Sequence, residues 1–515
     1  MEGSILSLLP PILALAMVIL TRRVLLSLGV GIIVGALMLN GYNPVDSVAE
    51  IVSIVAAIFV VDGAINDWEL YIIFFLLLLG MMAALVTRSG GSRAFGEWAL
   101  KRVKTRVGAQ LVTVMLGIII FIDDYFNSLT VGNVSRPLTD RHRVSRAKLA
   151  YLVDSTAAPM CVIAPVSSWG AYIITIIAGI LATHGVTQYE GLQAFMLMVP
   201  MNIYALVAIG LVLAVVFFKL DFGAMRVHEE RAFKTGELVD PDSGAIPGDQ
   251  EDLKVSDKGR VGDLVWPIVA LVLGTVAFMI ITGIQASEGA ATILSTFENT
   301  DVASSLLYGG IIGFAVALVL NIVKKTEASD LGATIWAGIK SMLPAIYILL
   351  FAWTIISIIG DLGTGQYLAS LVDGNIHPMF LPAILFLIAG FAAFSTGTSW
   401  GTFGLLLPIA GEMAAVIDIT MMLPMLAAVL AGAIFGDHCS PISDTTILSS
   451  TGAGSHHIDH VVTQLPYAIV AAVITLISYL VLGATGSVIL TLVTALVLLV
   501  ITVLILKKLS TPIES

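Results

Sequence analysis

An all-α, polytopic membrane fold of inverted repeats, with paired re-entrant hairpins and paired broken transmembrane helices, is predicted by three observations. The chain is too apolar for a water-soluble core, its polar residues gather inside apolar runs, and its two halves match each other in order. Of 515 residues, 58% are hydrophobic and 12% charged, and mean hydropathy is +0.99. That surplus implies the lipid bilayer as solvent. Net charge is −11, and no basic patch suits a nucleic acid. Cys161 and Cys439 both lie in apolar segments, so neither a disulfide framework nor a metal cluster is expected.

Apolar runs of spanning length fall near 5–20, 24–40, 69–87, 150–181, 193–219, 265–283, 305–322, 333–360, 423–450, 463–483 and 487–507. No small-residue cleavage site follows the first run, only Thr21-Arg22-Arg23 and a second apolar run, so it is expected to be a membrane helix. Arg88, Arg93, Lys101, Arg102, Lys104 and Arg106 precede a polar-centred segment, and Arg136, Arg141, Arg143, Arg146 and Lys148 follow it. Both basic stretches are expected on the cytoplasmic side of the inner membrane. The segment between them has 29 residues, whereas two full spans need about 40. A hairpin entering and leaving on one side, over about 108–135, fits better. Lys324-Lys325 and Lys507-Lys508 are cytoplasmic in the same threading, with the N-terminus outside and the C-terminus inside. The short apolar run 48–61 is expected to be an external surface helix.

The halves align at an offset of 271 to 282 residues. The run 85–90 matches 358–363, Phe121 matches Phe394, Pro137 matches Pro408 and Pro159 matches Pro441. Ser167-Ser168 with Gly170-Ala171 matches Ser449-Ser450 with Gly452-Ala453. Opposite threading makes the repeat inverted. The resulting organisation is a first repeat over 1–220, a cytoplasmic acidic loop over 221–263, and a second repeat over 264–485 with its hairpin at about 379–412. A further helix and tail occupy 486–515. The loop carries 11 acidic and 6 basic side chains.

Four polar clusters fall at membrane depth. One hairpin tip holds Asp123, Asp124, Asn127, Ser128 and Thr130; the other holds Ser395, Thr396, Thr398 and Ser399. A helix broken at such a tip leaves backbone groups that hydrocarbon cannot satisfy, which is tolerated where they line a cavity or hold an ion. The broken helices carry Asp154, Ser155 and Thr156 before Pro159, and Asp437, His438, Ser440, Ser443, Asp444 and Thr445 around Pro441. Proline removes a backbone donor and disrupts the preceding turn. A carboxylate at the bilayer centre costs at least roughly 2.5 to 3.5 kcal/mol, so Asp154, Asp437 and Asp444 point to function or to helix capping rather than packing. Hydroxyls, amides and carbonyls suit an unhydrated alkali cation, and the carboxylates supply charge.

Two patterns point elsewhere. Gly397, Ser399 and Gly401 spell G-x-S-x-G, but a nucleophile elbow needs a strand before it, and both flanks read as short helices. That leaves an intramembrane serine hydrolase as the enzyme alternative. His456, His457 and His460 offer imidazoles at helical spacing for a metal; a solvated helix end is the expected reading.

The run Gly436-Asp437-His438-Cys439-Ser440-Pro441-Ile442-Ser443-Asp444-Thr445-Thr446, with Gly452 and the stretch Gln464-Leu465-Pro466-Tyr467, resembles the signature of NhaC-type sodium/proton antiporters. The tip from Asp123 to Ser128 is similar to the first-half motif of one branch, although some relatives carry Lys at the position of His438. The resemblance spans nearly the whole chain and implies paired hairpins facing paired broken helices, with sodium and substrate between them. Asn127-Ser128 is then expected to face Asp154, Ser155 and Thr156, and Thr396 to Ser399 to face 437–446. Sodium is expected at Asp154, Asn127, Thr396 and Asp437. No other cofactor is expected.

Antiport of sodium against protons is the leading expectation, because one carboxylate can bind a proton or a cation but not both. No G-x-x-x-x-G-K-[ST] run is present to support ATP drive. Sodium- or proton-coupled transport of an amino acid or small carboxylate is the alternative, with the substrate carboxylate at helix N-termini. A channel is disfavoured by the repeat. A homodimer is compatible with this reading.

Overall fold

The structure, a computed structural model, describes residues 4–509 apart from 22, 62, 122–123, 166, 244–255, 257, 288–291, 325, 327, 365–366 and 368–376. A 3-10 turn leads into α1 (Leu9–Thr21), α2 (Val24–Leu39) and α3 (Pro44–Ala57). Then come α4 (Asp67–Arg88), α5 (Gly91–Leu100), α6 (Arg106–Ile119), α7 (Asp124–Arg141), α8 (Arg146–Asp154), α9 (Ala158–Cys161) and α10 (Ser168–Thr183). The middle of the chain holds α11 (Gly191–Met198), α12 (Ile203–Phe218), α13 (Gly223–Thr235), α14 (Gly262–Ala286), α15 (Ile293–Glu298), α16 (Val302–Val323) and α17 (Ala328–Asp361). The rest holds α18 (Leu381–Thr396), α19 (Ser399–Ile417), α20 (Met422–Cys439), α21 (Asp444–Ala453), α22 (His457–Thr485) and α23 (Val488–Leu509). Among the described residues the strands are Val60–Val61 and Ala64–Ile65, a two-residue antiparallel ladder.

Nine of the described helices are long and apolar enough to cross a membrane, and the chain is a multi-pass membrane protein. The first run is helical from Ile5 to Thr21, a 3-10 turn continued without a break by the 13-residue α1. Helix α3 bends from α2 by 118°, set by an Asn43 cap and Pro44 at its first position. Its Val45, Val48 and Val52 are exposed, as suits a helix lying beside the bundle.

Two large apolar cores stand out among the described residues. One joins α10, α12, α18, α20 and α22 through Trp169, Tyr204, Phe386 and Tyr479; the other joins α2, α4, α16 and α17 through Leu28, Phe75, Leu306 and Ile358. Helices α4 and α17 meet backbone to backbone, since a Cβ on Gly80 would lie 2.4 Å from the Gly338 carbonyl oxygen. After each of these helices the chain turns through a left-handed glycine, Gly90 and Gly363, the two that the internal alignment pairs.

Helices α6 and α7 double back on each other. Their outer ends meet where the His142 imidazole lies 3.0 Å from the Val103 carbonyl, and the turn between them lies at Ile120 and Phe121. The run 150–181, expected as one broken helix, is divided into α8, α9 and α10, and the run 423–450 into α20 and α21.

The start of the acidic loop differs from a solvated chain. Helix α13 folds back onto the bundle, where Glu229 is buried. It pairs with Arg106 at 2.8 Å and accepts from the Ser145 N–H at 2.7 Å. Buried Lys148 pairs with Asp221, and Tyr467 donates to the Leu220 carbonyl at 3.0 Å. Asp221 and Glu229 are thus held in internal pairs with Lys148 and Arg106, which satisfy one another where water is excluded.

Candidate functional site

The ends of broken helices converge with the hairpin tips. Helix α8 stops at Asp154 because the chain turns before Pro159, which has no N–H to continue the ladder. Asp154 is 0% exposed and Asp437 1%, so each carboxylate must be satisfied from within the protein.

Asp154 has three partners from the second half of the chain. Gln464 Nε2 gives one bond to Oδ2 at 2.6 Å, and His460 Nε2 lies 3.1 Å from the same oxygen. The Ser449 hydroxyl donates toward Oδ1 at 3.1 Å and toward the Ser128 hydroxyl at 3.0 Å, so its single proton is shared between the carboxylate and Ser128. The Asn127 amide nitrogen faces three main-chain carbonyls, of Gly117 at 2.7 Å, Ile120 at 2.6 Å and Thr156 at 3.2 Å. Asn127 thus caps the broken end of α6 and ties the tip to the break after α8. Its Oδ1 and the Thr130 hydroxyl are buried without a hydrogen-bond partner among the described residues.

Asp437 takes two hydroxyls: Ser399 on Oδ2 at 2.7 Å and Ser443 on Oδ1 at 2.5 Å. Thr445 supports Ser443 at 2.8 Å. Ser440 donates to the Phe394 carbonyl at 2.8 Å, closing the broken end of α18 as Asn127 closes that of α6. Gly397, at φ +70°, packs on the Ile442 carbonyl, 2.8 Å from where a Cβ would stand; only glycine suits both that conformation and that approach.

The structure brings Asn127 to Thr156, links Ser128 to Asp154 through Ser449, and brings Ser399 and Ser443 to Asp437. Others spend their hydroxyls locally. Thr396 donates to the Ala392 carbonyl at 2.8 Å, Thr156 to the Leu152 carbonyl at 2.8 Å, and Thr398 caps α19. Ser395 is buried in the last turn of α18. Asp124 accepts from the Trp169 indole at 2.8 Å, and Asp444 accepts from the Tyr125 hydroxyl. Asp123 lies outside the described residues.

Several neighbours of the two carboxylates were missed by the sequence reading. His457 and His460 are buried, which corrects the expectation of a solvated helix end; His457 lies 2.8 Å from the Pro441 carbonyl. The hint was the i, i+4 spacing of His460 and Gln464, one face of α22. His438 lies 2.9 Å from Ser155 Oγ and 2.8 Å from the Tyr204 hydroxyl; Tyr204 sits in an apolar run that gave no signal. Asp154 thus has amide, imidazole and hydroxyl partners and Asp437 two hydroxyls, and among the described residues neither pairs with lysine or arginine. Among the described residues no group of three His, Cys, Asp or Glu could hold a metal ion.

Comparison with known proteins fits this arrangement. Residues 160–484 match the Na+/H+ antiporter family. An uncharacterized protein of Haemophilus influenzae (strain ATCC 51907 / DSM 11121 / KW20 / Rd) is 50% identical over 94% of this chain and 92% of its own. The malate-2H(+)/Na(+)-lactate antiporter of Bacillus subtilis (strain 168) is 34% identical over 33% of this chain and 36% of its own. An uncharacterized Na(+)/H(+) antiporter of the same Haemophilus strain is 32% identical over 26% of this chain and 30% of its own. The matched region begins just after the break that follows Asp154 and includes the helices that supply Asp437 and Gln464, and the chain belongs to the Na+/H+ antiporter family.

Proposed function

We propose that the protein exchanges sodium for protons across the cytoplasmic membrane by alternating access, with Asp154 and Asp437 as the exchanging groups. The observation that carries this reading is the pair of fully buried carboxylates whose partners are hydroxyl, amide and imidazole rather than lysine or arginine. A carboxylate so placed is balanced by a proton or by a cation, and the two compete for the same oxygens. Asn127 Oδ1 and Thr130 Oγ1, buried without partners among the described residues, add hard oxygens of the kind an alkali ion takes.

The test is flux in proteoliposomes. An imposed sodium gradient is expected to move protons with no organic solute present, and apparent sodium affinity is expected to weaken as pH falls because protons compete for the site. A second reading is favoured by the Bacillus relative, whose name couples sodium and protons to malate and lactate. Proton movement that stays absent until a small carboxylate or amino acid is added would replace ion-only antiport with that coupled transport.

In this reading the α6–α7 pair is a re-entrant hairpin open to the cytoplasm, and the α18–α19 pair is its inverted counterpart. Arg141 and Thr420 are exposed at the outer ends of the two pairs. Cysteines placed there are expected to react with an impermeant thiol reagent from opposite sides, residue 141 from within and residue 420 from outside. Labelling of both from one side would sink the inverted arrangement.

A further inference from the structure

The two carboxylate sites are joined by one amide. Gln464 Nε2 donates to Asp154 Oδ2 at 2.6 Å and also to the main-chain carbonyl of His438, the residue next to Asp437. Two acceptors facing one end of the side chain fix its orientation, because the carboxamide oxygen there would be repelled by both. The opposite atom, Oε1, is buried without a hydrogen-bond partner among the described residues. Asp154, His438 and Gln464 are each at most 2% exposed, so both bonds lie away from the protein surface.

The neighbouring links between the halves are less direct. The His438 imidazole meets Ser155 rather than Asp154, and Ser449 reaches Asp154 from α21, beyond the break that follows Asp437. Gln464 alone among the described residues is seen to hydrogen-bond both the first carboxylate and the backbone of the turn that carries the second. Pro466 lies inside α22 two residues further on, where a missing N–H and the ring's clash weaken the ladder and let the helix bend.

Resting on the reading that Asp154 and Asp437 bind the transported ion, we propose that Gln464 is a positioning residue that couples them, holding Asp154 and the turn at His438 in register so that occupancy of either site sets the affinity of the other. When an ion draws on the Asp437 oxygens, the last turn of α20 moves with it. The His438 carbonyl then carries the displacement through Gln464 to Asp154 Oδ2. Such coupling is reciprocal in equilibrium binding.

A double-mutant cycle on sodium binding to the purified full-length protein tests it. Ser449→Ala removes a donor from Asp154 and Ser399→Ala one from Asp437, and neither touches Gln464. With Gln464 present, the two substitutions are expected to be non-additive in sodium affinity by at least about 5-fold. In a Gln464→Met background, which keeps length without the amide, they are expected to add within about 2-fold. Gln464→Asn, too short to span both acceptors, is expected to do the same and serves if the Met variant does not fold. A matching thermal transition in the Gln464 variants excludes simple loss of structure as the source. Additivity with Gln464 intact overturns the coupling, as does non-additivity that survives both Gln464 substitutions. Absence of sodium binding by the parent protein overturns the sodium reading and the coupling together, and is distinct from both of those results.

Discussion

Asp154→Asn is expected to abolish sodium-driven transport while leaving the protein folded. The amide keeps the shape of the carboxylate. Its oxygen can accept from Gln464 Nε2 and His460 Nε2, and its nitrogen can turn to Ser449, whose hydroxyl is able to accept. What disappears is the negative charge. At a separation of 4 Å and an effective dielectric of 20, one unit charge acting on another is worth about 4 kcal/mol, roughly a thousandfold in affinity. Asp437→Asn has the same logic, since Ser399 and Ser443 can each rotate a hydroxyl to give or to accept. Sodium binding and flux in proteoliposomes, set beside the thermal transition of each variant, provide the measurement. Unchanged transport and sodium dependence in both variants would remove these carboxylates from the site.

The four polar clusters were legible because hydrocarbon leaves few alternatives. A run such as 123–130 or 395–399 cannot face lipid, and a buried aspartate beside a proline break has few structural uses. The partners from the other half of the chain were not legible. His460 and Gln464 lie where helix α22 begins, and a histidine-rich helix start looks solvated until tertiary packing buries it. Tyr204 lies within an unbroken apolar run, where one tyrosine carries no positional signal. Composition also misled at 221–235, because a count of charges does not reveal that Asp221 and Glu229 have Lys148 and Arg106 as buried partners. For Thr396 and Thr398 the residue type was suited to ligation, but threonine also bonds its own helix or caps the next one, and that choice is made by local backbone geometry.

The same reasoning extends from the donors to the helix crossing that holds them. Gly432 and Gly436 lie four apart on α20, so they share a face, and that face meets α18 backbone to backbone. A Cβ on Gly432 would stand 2.2 Å from the Phe386 carbonyl oxygen, and one on Gly436 would stand 2.1 Å from the Gly390 carbonyl oxygen and 2.6 Å from the Phe394 nitrogen. Small residues at this spacing let membrane helices approach closely and gain packing that lipid does not supply. The contact also sets the site, because Asp437 follows Gly436 directly and its Ser399 partner lies just beyond the end of α18. Gly436→Val puts two further carbons where backbone already stands, which neither helix can yield to by turning a side chain. Forcing the helices apart by about 1 Å is expected to separate Ser399 from Asp437 and to lower transport about 100-fold, the usual scale for such a misplacement. Gly179→Ala is the control: its added Cβ meets nothing within 4 Å, and its transport is expected to match the parent. Parent-like flux and sodium affinity in Gly436→Val would mean that Asp437 and Ser399 are held together by something other than the close crossing of α18 and α20.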